Sequence, residues 1–290
     1  MTSTERSDGR DSLLLEALRV PGPLVTVELR LPRTDLGSQD GMGAWIDLHH
    51  SLRRLTRNDL FVFLTDNAVG AAEEESLAHV GANVGEDTDL RRIVPILTCK
   101  HALDYCLMFA SKAVSEGFDS MTVLGGDKGV GRPRCVPHAR DLREMLADRL
   151  PGLSMGGWVN PHKDARQQVG WLTAEDSHAT YALSQIVSHH SLPAVERFLE
   201  AHDAREPRKP VVFGVFFYRS ANPKTLSILS DFFPVPGEEI TADFASGASA
   251  EEICARSIRQ LRAVGAEKIY VSNLGERGAG RRLQKILDLV

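Results

Sequence analysis

Two acidic residues stand at predicted strand ends, where a carboxylate can do acid–base chemistry. In the stretch 24–33, LVTVELRLPR, apolar and polar residues alternate, so a strand would send Glu28 to its polar face. Asp127 follows a second apolar run, VLGG at 123–126. In a closed parallel barrel both carboxylates would lie at the mouth, where such folds keep their reactive groups. In an ordinary edge strand, Glu28 would simply face water.

Further residues that could take part in chemistry lie at the ends of these strands and of other predicted strands. They are Arg30, Arg33, Thr65, Asp66, Asn67, Thr98, Cys99, Lys128, Trp158, Asn160, His162, Lys163, Ser184, Gln185, His189, His190, Ser272 and Asn273. His189 and His190 invite a metal interpretation. Adjacent residues on a strand or turn point apart, however, and no third ligand has a suitable spacing, so we predict no metal site.

A run of basic residues, GERGAGRRL at 275–283, precedes the last predicted helix. It places Arg277, Arg281 and Arg282 at a helix start, where backbone N–H groups and guanidinium groups favour anions. The segment either binds a phosphate or carboxylate or is a solvated helix face, and the sequence favours neither.

Strands and helices are predicted to alternate along almost the whole chain, which favours a single (β/α)8 barrel of the α/β class. The predicted strands are 24–30, 60–65, 93–99, 120–124, 153–159, 181–187, 210–217 and 268–272. A doubly wound open sheet is the competitor, but GGDKGVG at 125–131 has neither the dinucleotide-binding spacing nor the Lys-Ser/Thr of a P-loop. We expect a disordered tail at 1–12 and one barrel domain at 13–290, with 160–180 the segment of weakest pattern.

Composition excludes several functional classes. The net charge of −5, from 34 basic and 39 acidic residues, argues against a nucleic-acid partner. The polar N-terminal dozen and the short LLLEAL that follows signal neither secretion nor a membrane span, so we expect a soluble cytoplasmic protein. The four cysteines lack a Cys-x-x-Cys pair, which favours idle thiols over disulfides or zinc. The oligomeric state is left open.

Several stretches together resemble the methylenetetrahydrofolate reductase family, most of all its flavin-independent members. They occur in the family's order: VTVELRLPRT at 25–34, ILTC at 96–99, VLGGD at 123–127, LSMGGWVNPHKD at 153–164, LSQ at 183–185 and PVVFGVFF at 210–217. Each motif is short, and only the set is specific. The resemblance implies reduction of 5,10-methylenetetrahydrofolate to 5-methyltetrahydrofolate, a step of one-carbon metabolism and methionine biosynthesis.

The resemblance also implies roles for individual residues. Glu28 would be the general acid, and Asp127 would stabilise the iminium cation and position the folate. Substrate-binding residues would be Gln185, Ser184, Phe217 and Asn273. The cofactor cavity would be lined by Thr65, Asn67, Cys99, Gly126, Trp158 and His162.

Departures from the family pattern bear on the cofactor. Ile96 stands where flavin-containing members have His, and Gly125 replaces the Arg of Leu-Arg-Gly-Asp. The residues that hold the flavin pyrophosphate in the family are replaced near Gln167 and Thr173, so we expect no tightly bound FAD and direct hydride transfer from NADH or NADPH. The alternatives are an FAD-dependent reductase of the same family, a non-catalytic folate-binding barrel and a folate-dependent methyltransferase.

Overall fold

Eight parallel strands close into a barrel in the computed structural model, which describes residues 11–32, 36–65, 88–127, 131–275 and 277–290. Each strand pairs in parallel with its neighbours in sequence, and β1 closes the ring by pairing with β8. The fold prediction of a single (β/α)8 barrel is confirmed. The strands are β1 (Leu24–Arg30), β2 (Val62–Thr65), β3 (Ile93–Thr98), β4 (Ser120–Leu124), β5 (Ser154–Val159), β6 (Tyr181–Ile186), β7 (Val211–Phe216) and β8 (Lys268–Ser272).

The helices surround the barrel. The described ones are α1 (Leu13–Arg19), α2 (Ser38–Arg57), α3 (Leu103–Glu116), α4 (Ala139–Arg149), α5 (Ala165–Thr173), α6 (Leu192–Asp203), α7 (Pro223–Ser230), α8 (Gly237–Ala245), α9 (Ala250–Ala263) and α10 (Ala279–Leu287), with short 3₁₀ turns at Leu90–Arg92 and Glu175–Ser177. None of these helices is both long and apolar enough to cross a bilayer. The sequence also predicts a helix at 73–80, and this segment lies outside the described residues.

Two helices differ from the prediction. In the weakly patterned segment 160–180, α5 begins where the Asp164 side chain accepts a hydrogen bond from the Gln167 N–H, an N-cap that the pattern did not reveal. Helix α8 was not predicted at all. It begins after Pro236 and buries only Ile240, so it has too little apolar periodicity to be recognised from its sequence.

Helix α1 closes the N-terminal end of the barrel. Its Leu14 and Leu18 are buried in the same cluster as the side chains of the barrel interior. The Asp119 carboxylate, before β4, accepts a hydrogen bond of 2.9 Å from the Leu13 N–H and ties α1 in place. With that end closed by α1, ligands must enter from the carboxyl ends of the strands.

Three aromatic rings fill the lumen below the mouth. Phe63 packs 6.5 Å from Tyr181 and 6.1 Å from Tyr270, measured between ring centroids. Glycines on the neighbouring strands make room for the tyrosines, since a Cβ at Gly156 would lie 2.5 Å from the Tyr181 ring and one at Gly214 would lie 2.4 Å from the Tyr270 hydroxyl. This layer forms a packed floor beneath the open end.

Candidate functional site

A cavity of about 350 Å³ opens at the carboxyl ends of β1 and β8, and its described lining includes the Glu28 carboxylate. Its lining residues are Glu28, Leu29, Arg30, Arg219, Asn273, Gly275, Arg277 and Arg282. Glu28 is half-buried, and its Oε1 accepts a hydrogen bond of 2.5 Å from the Thr65 hydroxyl on β2. The pleat of β1 therefore does send Glu28 into the mouth, as the alternation in its sequence indicates.

Four arginines surround the same cavity. Arg30 extends from the end of β1, Arg219 from the segment after β7, and Arg277 and Arg282 from the start of α10. Within the described ranges, no carboxylate lies at ion-pair distance from any of these guanidinium groups. Because the chain as a whole is acidic, this concentration of positive charge, which no described carboxylate pairs with, favours an anion there.

The backbone beside the cavity is shaped for close approach. Gly275 has φ +77°, a conformation that favours glycine, and a Cβ there would displace the end of the Arg219 side chain, whose Nη2 would lie 2.5 Å away. Asn273 also has a left-handed φ of 68°, and its Nδ2 donates to the Phe217 carbonyl at 3.0 Å. Arg282 donates to the Leu274 carbonyl at 2.7 Å, which holds its guanidinium at the cavity.

A second cavity of about 340 Å³ continues outward along α10. It is lined by Arg277, Gly278, Arg281, Arg282 and Lys285, so it shares two arginines with the first. Of the two sequence interpretations of the segment 275–283, the anion site is the one that this arrangement favours.

A bulge near the end of β6 presents Gln185. The register between β6 and β7 shifts between Leu183 and Ile186. The buried Ser184 hydroxyl accepts from the Gly214 N–H at 3.1 Å and donates to the Gln185 carbonyl, while the Ser184 carbonyl accepts from Tyr270 at 2.7 Å. Ser184 therefore holds the bulge, and Gln185 is half-buried with its Nε2 3.4 Å from the Phe232 carbonyl.

The residues expected to line the far side of the mouth lie at the carboxyl ends of β4 and β5. Trp158 lies two residues after the lumen-facing Gly156 and is 41% exposed. His162 bridges to β6, with its Nε2 2.8 Å from the Ile186 carbonyl. Gly126 has φ +71°, and its carbonyl accepts a hydrogen bond from Arg134. Asp127 follows Gly126, is half-buried and lies at the same end of the barrel as Glu28.

Two predicted site residues face away from the mouth. Cys99 and Phe217 belong to the apolar layer between the barrel and its helices. Burial and the neighbouring Cys135 raise the pKa of the Cys99 thiol to about 12. Each lies one residue beyond its strand, where the next side chain along the pleat points outward. Asn67, predicted to bind the cofactor, lies outside the described residues.

His189 and His190 do not point apart, contrary to the premise of the sequence analysis. Their ring centroids are 3.8 Å apart, and both Nε2 atoms lie near Oδ2 of Asp243, a residue of α8. Burial and the adjacent His190 lower the pKa of His189. Burial alone would raise the pKa of Asp243, but the hydrogen bond from His190 and the nearby positive groups lower it.

Sequence reasoning missed Arg219 and Asp243. Arg219 follows β7 in the run FFYRS. The rule that functional residues lie at the carboxyl ends of barrel strands, the strand-end rule, selected Glu28 and could have selected Arg219 too. Asp243 had no such signal. It lies 53 residues from His190, on a helix that the pattern did not predict, so only the tertiary structure brings the two together.

Comparisons with known proteins identify the fold alone. The sequence matches no protein-family model and no curated protein. An uncharacterized protein from Clostridium thermocellum, whose structure is described as binding two copies of 5-methyl-5,6,7,8-tetrahydrofolic acid, is 15% identical with a TM-score of 0.66, over 96% of this chain and 97% of that chain. N-acetylneuraminate lyase from Mycoplasma synoviae is 12% identical with a TM-score of 0.50, over 92% and 78% of the two chains.

The predicted family and enzyme class are wrong. The similar solved structures with a TM-score of at least 0.50 include the folate-binding protein and N-acetylneuraminate lyase, neither is described as a reductase, and no family model matches the sequence. These findings overturn the assignment to the methylenetetrahydrofolate reductases and to the oxidoreductases.

The motifs behind that resemblance have local packing explanations. In VLGGD, a Cβ at Gly125 would lie 2.6 Å from the Arg134 guanidinium carbon. In LSMGGWV and VVFGVFF, Gly156 and Gly214 make room for the two lumen tyrosines. Glycines at these places therefore follow from how this barrel is filled, and the comparisons show a (β/α)8 barrel without showing its family.

Proposed function

We propose that this chain binds a reduced folate of the 5-methyltetrahydrofolate class in the mouth of its barrel. The observation that carries the proposal is the cavity in which Glu28 stands beside four arginines. Folates have a matching polarity, with N–H donors on the pterin at one end and glutamate carboxylates at the other. The folate-binding barrel from Clostridium thermocellum supports the same ligand class.

The pterin would lie against Glu28. One Glu28 oxygen accepts from Thr65, while its other oxygen has no hydrogen-bond partner within the described part of the chain. A carboxylate in this place accepts hydrogen bonds from the pyrimidine edge of a pterin, and a charged acceptor makes these bonds about twice as strong as neutral ones. The exposed Trp158 ring at the same end offers an aromatic face for stacking.

The glutamate end would lie among the arginines. Arg30 is two residues after Glu28 on β1, so both side chains project from one face of the strand and the cavity changes from negative to positive along its length. Arg277 and Arg282 extend this positive wall into the second cavity. Guanidinium groups bind carboxylates through paired N–H donors, which fixes both position and orientation.

Within the described residues, no observation favours a lyase that works through a Schiff base, and Lys128 lies outside those residues. Such an enzyme needs an amine in its lumen. The eight strands contain one lysine, Lys268, which donates to the Gly22 carbonyl at the N-terminal end of the barrel. Lys100, after β3, donates to the Arg132 carbonyl at 2.9 Å. NADH or NADPH was expected only through the reductase resemblance, and no observation on this chain tests either cofactor.

The test is calorimetric titration with 5-methyltetrahydrofolate at low and moderate salt. Arg30→Gln and Arg277→Gln should each weaken binding by about 3- to 10-fold, because exposed ion pairs contribute roughly 1 kcal/mol. Arg208→Gln is the matched control, since Arg208 is exposed, pairs with Glu206 and precedes β7 at the opposite end of the barrel. A methylated tetrahydropterin without the glutamate should bind with no dependence on Arg277. No binding, or equal losses in all three variants, would refute the proposal.

A further inference from the structure

The two histidines and the aspartate on the rim of the barrel form a cluster that the folate site does not use. His189 and His190 follow β6, and Asp243 belongs to α8. Asp243 Oδ2 lies 3.2 Å from His189 Nε2 and 2.9 Å from His190 Nε2, and the three side chains are 6%, 19% and 11% exposed in the order His189, His190, Asp243. We propose that these side chains bind one divalent transition-metal ion, with Zn²⁺ as the expected occupant.

The geometry is close to that of a zinc site. One ligand atom from each side chain lies within 4.8 Å of the others. Zinc bonds to nitrogen and oxygen are about 2.0–2.1 Å long, so ligand atoms around a tetrahedral ion are about 3.3 Å apart. The distances from Asp243 Oδ2 to the two imidazole nitrogens need to change by only a few tenths of an ångström to admit an ion.

The surrounding groups leave the three ligand atoms available. His189 Nδ1 lies 2.8 Å from the Ser257 hydroxyl, and Arg256 donates to Asp243 Oδ1 at 2.7 Å. When Nδ1 donates to Ser257, the lone pair of His189 Nε2 faces Asp243 Oδ2, an arrangement that a metal ion or a proton between the two atoms stabilises. Such outer partners are how proteins orient metal-binding histidines and carboxylates.

The donor set selects the kind of ion. Two imidazole nitrogens and one carboxylate oxygen suit Zn²⁺, Co²⁺ and Ni²⁺ rather than Mg²⁺ or Ca²⁺, which prefer oxygen ligands. His190 is the most exposed of the three, so water can fill the fourth position on its side. The ion would join the loop after β6 to α8.

The experiment titrates the full-length, untagged protein with Co²⁺ and records its visible absorption. The wild type should bind one equivalent, with tetrahedral cobalt bands that Zn²⁺ displaces. His190→Ala and Asp243→Asn should each lose the bands. His50→Ala, at an exposed histidine of α2, is the matched control and should keep them.

Thermal unfolding with and without Zn²⁺ distinguishes a metal site from a hydrogen-bonded clamp. Zn²⁺ should raise the melting temperature of the wild type and of His50→Ala, and leave that of folded His190→Ala unchanged. The proposal is overturned if the wild type shows no cobalt bands and no response to Zn²⁺, or if His190→Ala keeps both. If Zn²⁺ does not change the melting temperature of the wild type, and Asp243→Asn is destabilised equally with and without Zn²⁺, the three side chains act only through their hydrogen bonds.

Discussion

The floor beneath Glu28 depends on the absence of a side chain at Gly214. In Gly214→Ala the new Cβ would lie 2.4 Å from Tyr270 Oη and 2.5 Å from Tyr270 Cζ, so the buried ring must move. Overpacking of this kind costs about 1–3 kcal/mol. The movement also breaks the hydrogen bond from Tyr270 to the Ser184 carbonyl, and an unpaired buried carbonyl costs about 1–3 kcal/mol more. We expect a total loss of about 2–6 kcal/mol.

Urea unfolding measures this loss, and two further variants divide it. Tyr270→Phe removes only the hydroxyl and should cost about 1–3 kcal/mol. Gly43→Ala, in α2, meets no atom within 4 Å and should stabilise the protein by about 0.5–1 kcal/mol through helix propensity. Because Ser184 holds the bulge that presents Gln185, Gly214→Ala should also weaken folate binding. A Gly214→Ala protein as stable as the wild type would refute the packing account.

Three further predictions concern stability. Burial raises the pKa of Cys99 and of Cys254 to about 12, against 9.0 for a free thiol. As the pH rises, the unfolded chain therefore loses these two protons before the folded chain does. Between pH 9 and pH 12 the free energy of unfolding should fall by about 3 kcal/mol per pH unit for the two thiols together. The double variant Cys99→Ala/Cys254→Ala lacks both thiols, so its urea midpoint should fall less steeply than that of the wild type between pH 9 and pH 10. Equal slopes in the two proteins would contradict this prediction. Arg143→Met leaves two carbonyls without their guanidinium donor and should cost about 2–4 kcal/mol in urea, whereas an unchanged midpoint would show that these bonds contribute nothing. Ser249→Ala breaks the capping box of α9 and should lower the free energy of unfolding by about 1 kcal/mol, with Ser230→Ala as the exposed control.

The barrel could be predicted from the sequence because its signals are local. Continuous apolar runs and period-two alternation gave the bounds of β1, β4 and β8 as the structure has them. Helix α8 escaped because one buried residue is too few to make a pattern.

The site could be predicted only in part. The strand-end rule placed Glu28 and Asn273 at the cavity, together with Arg277 and Arg282. It could not decide the direction of side chains one residue beyond a strand, and Cys99 accordingly packs outward. It also could not bring Asp243 to the histidines, since that contact depends on the packing of α8 against the rim.

The family resemblance misled for a physical reason. Short motifs built around glycines describe how a barrel is filled, as Gly156 beneath Tyr181 shows. Barrels of different families face the same packing problem, so a match in such positions indicates fold more than chemistry.

The most direct test of the folate proposal is a crystal structure of the protein with 5-methyltetrahydrofolate. The account predicts a pterin within hydrogen-bond distance of Glu28 and glutamate carboxylates paired with Arg30, Arg277 or Arg282. A folate bound elsewhere, or one whose glutamate points away from the arginines, would contradict it.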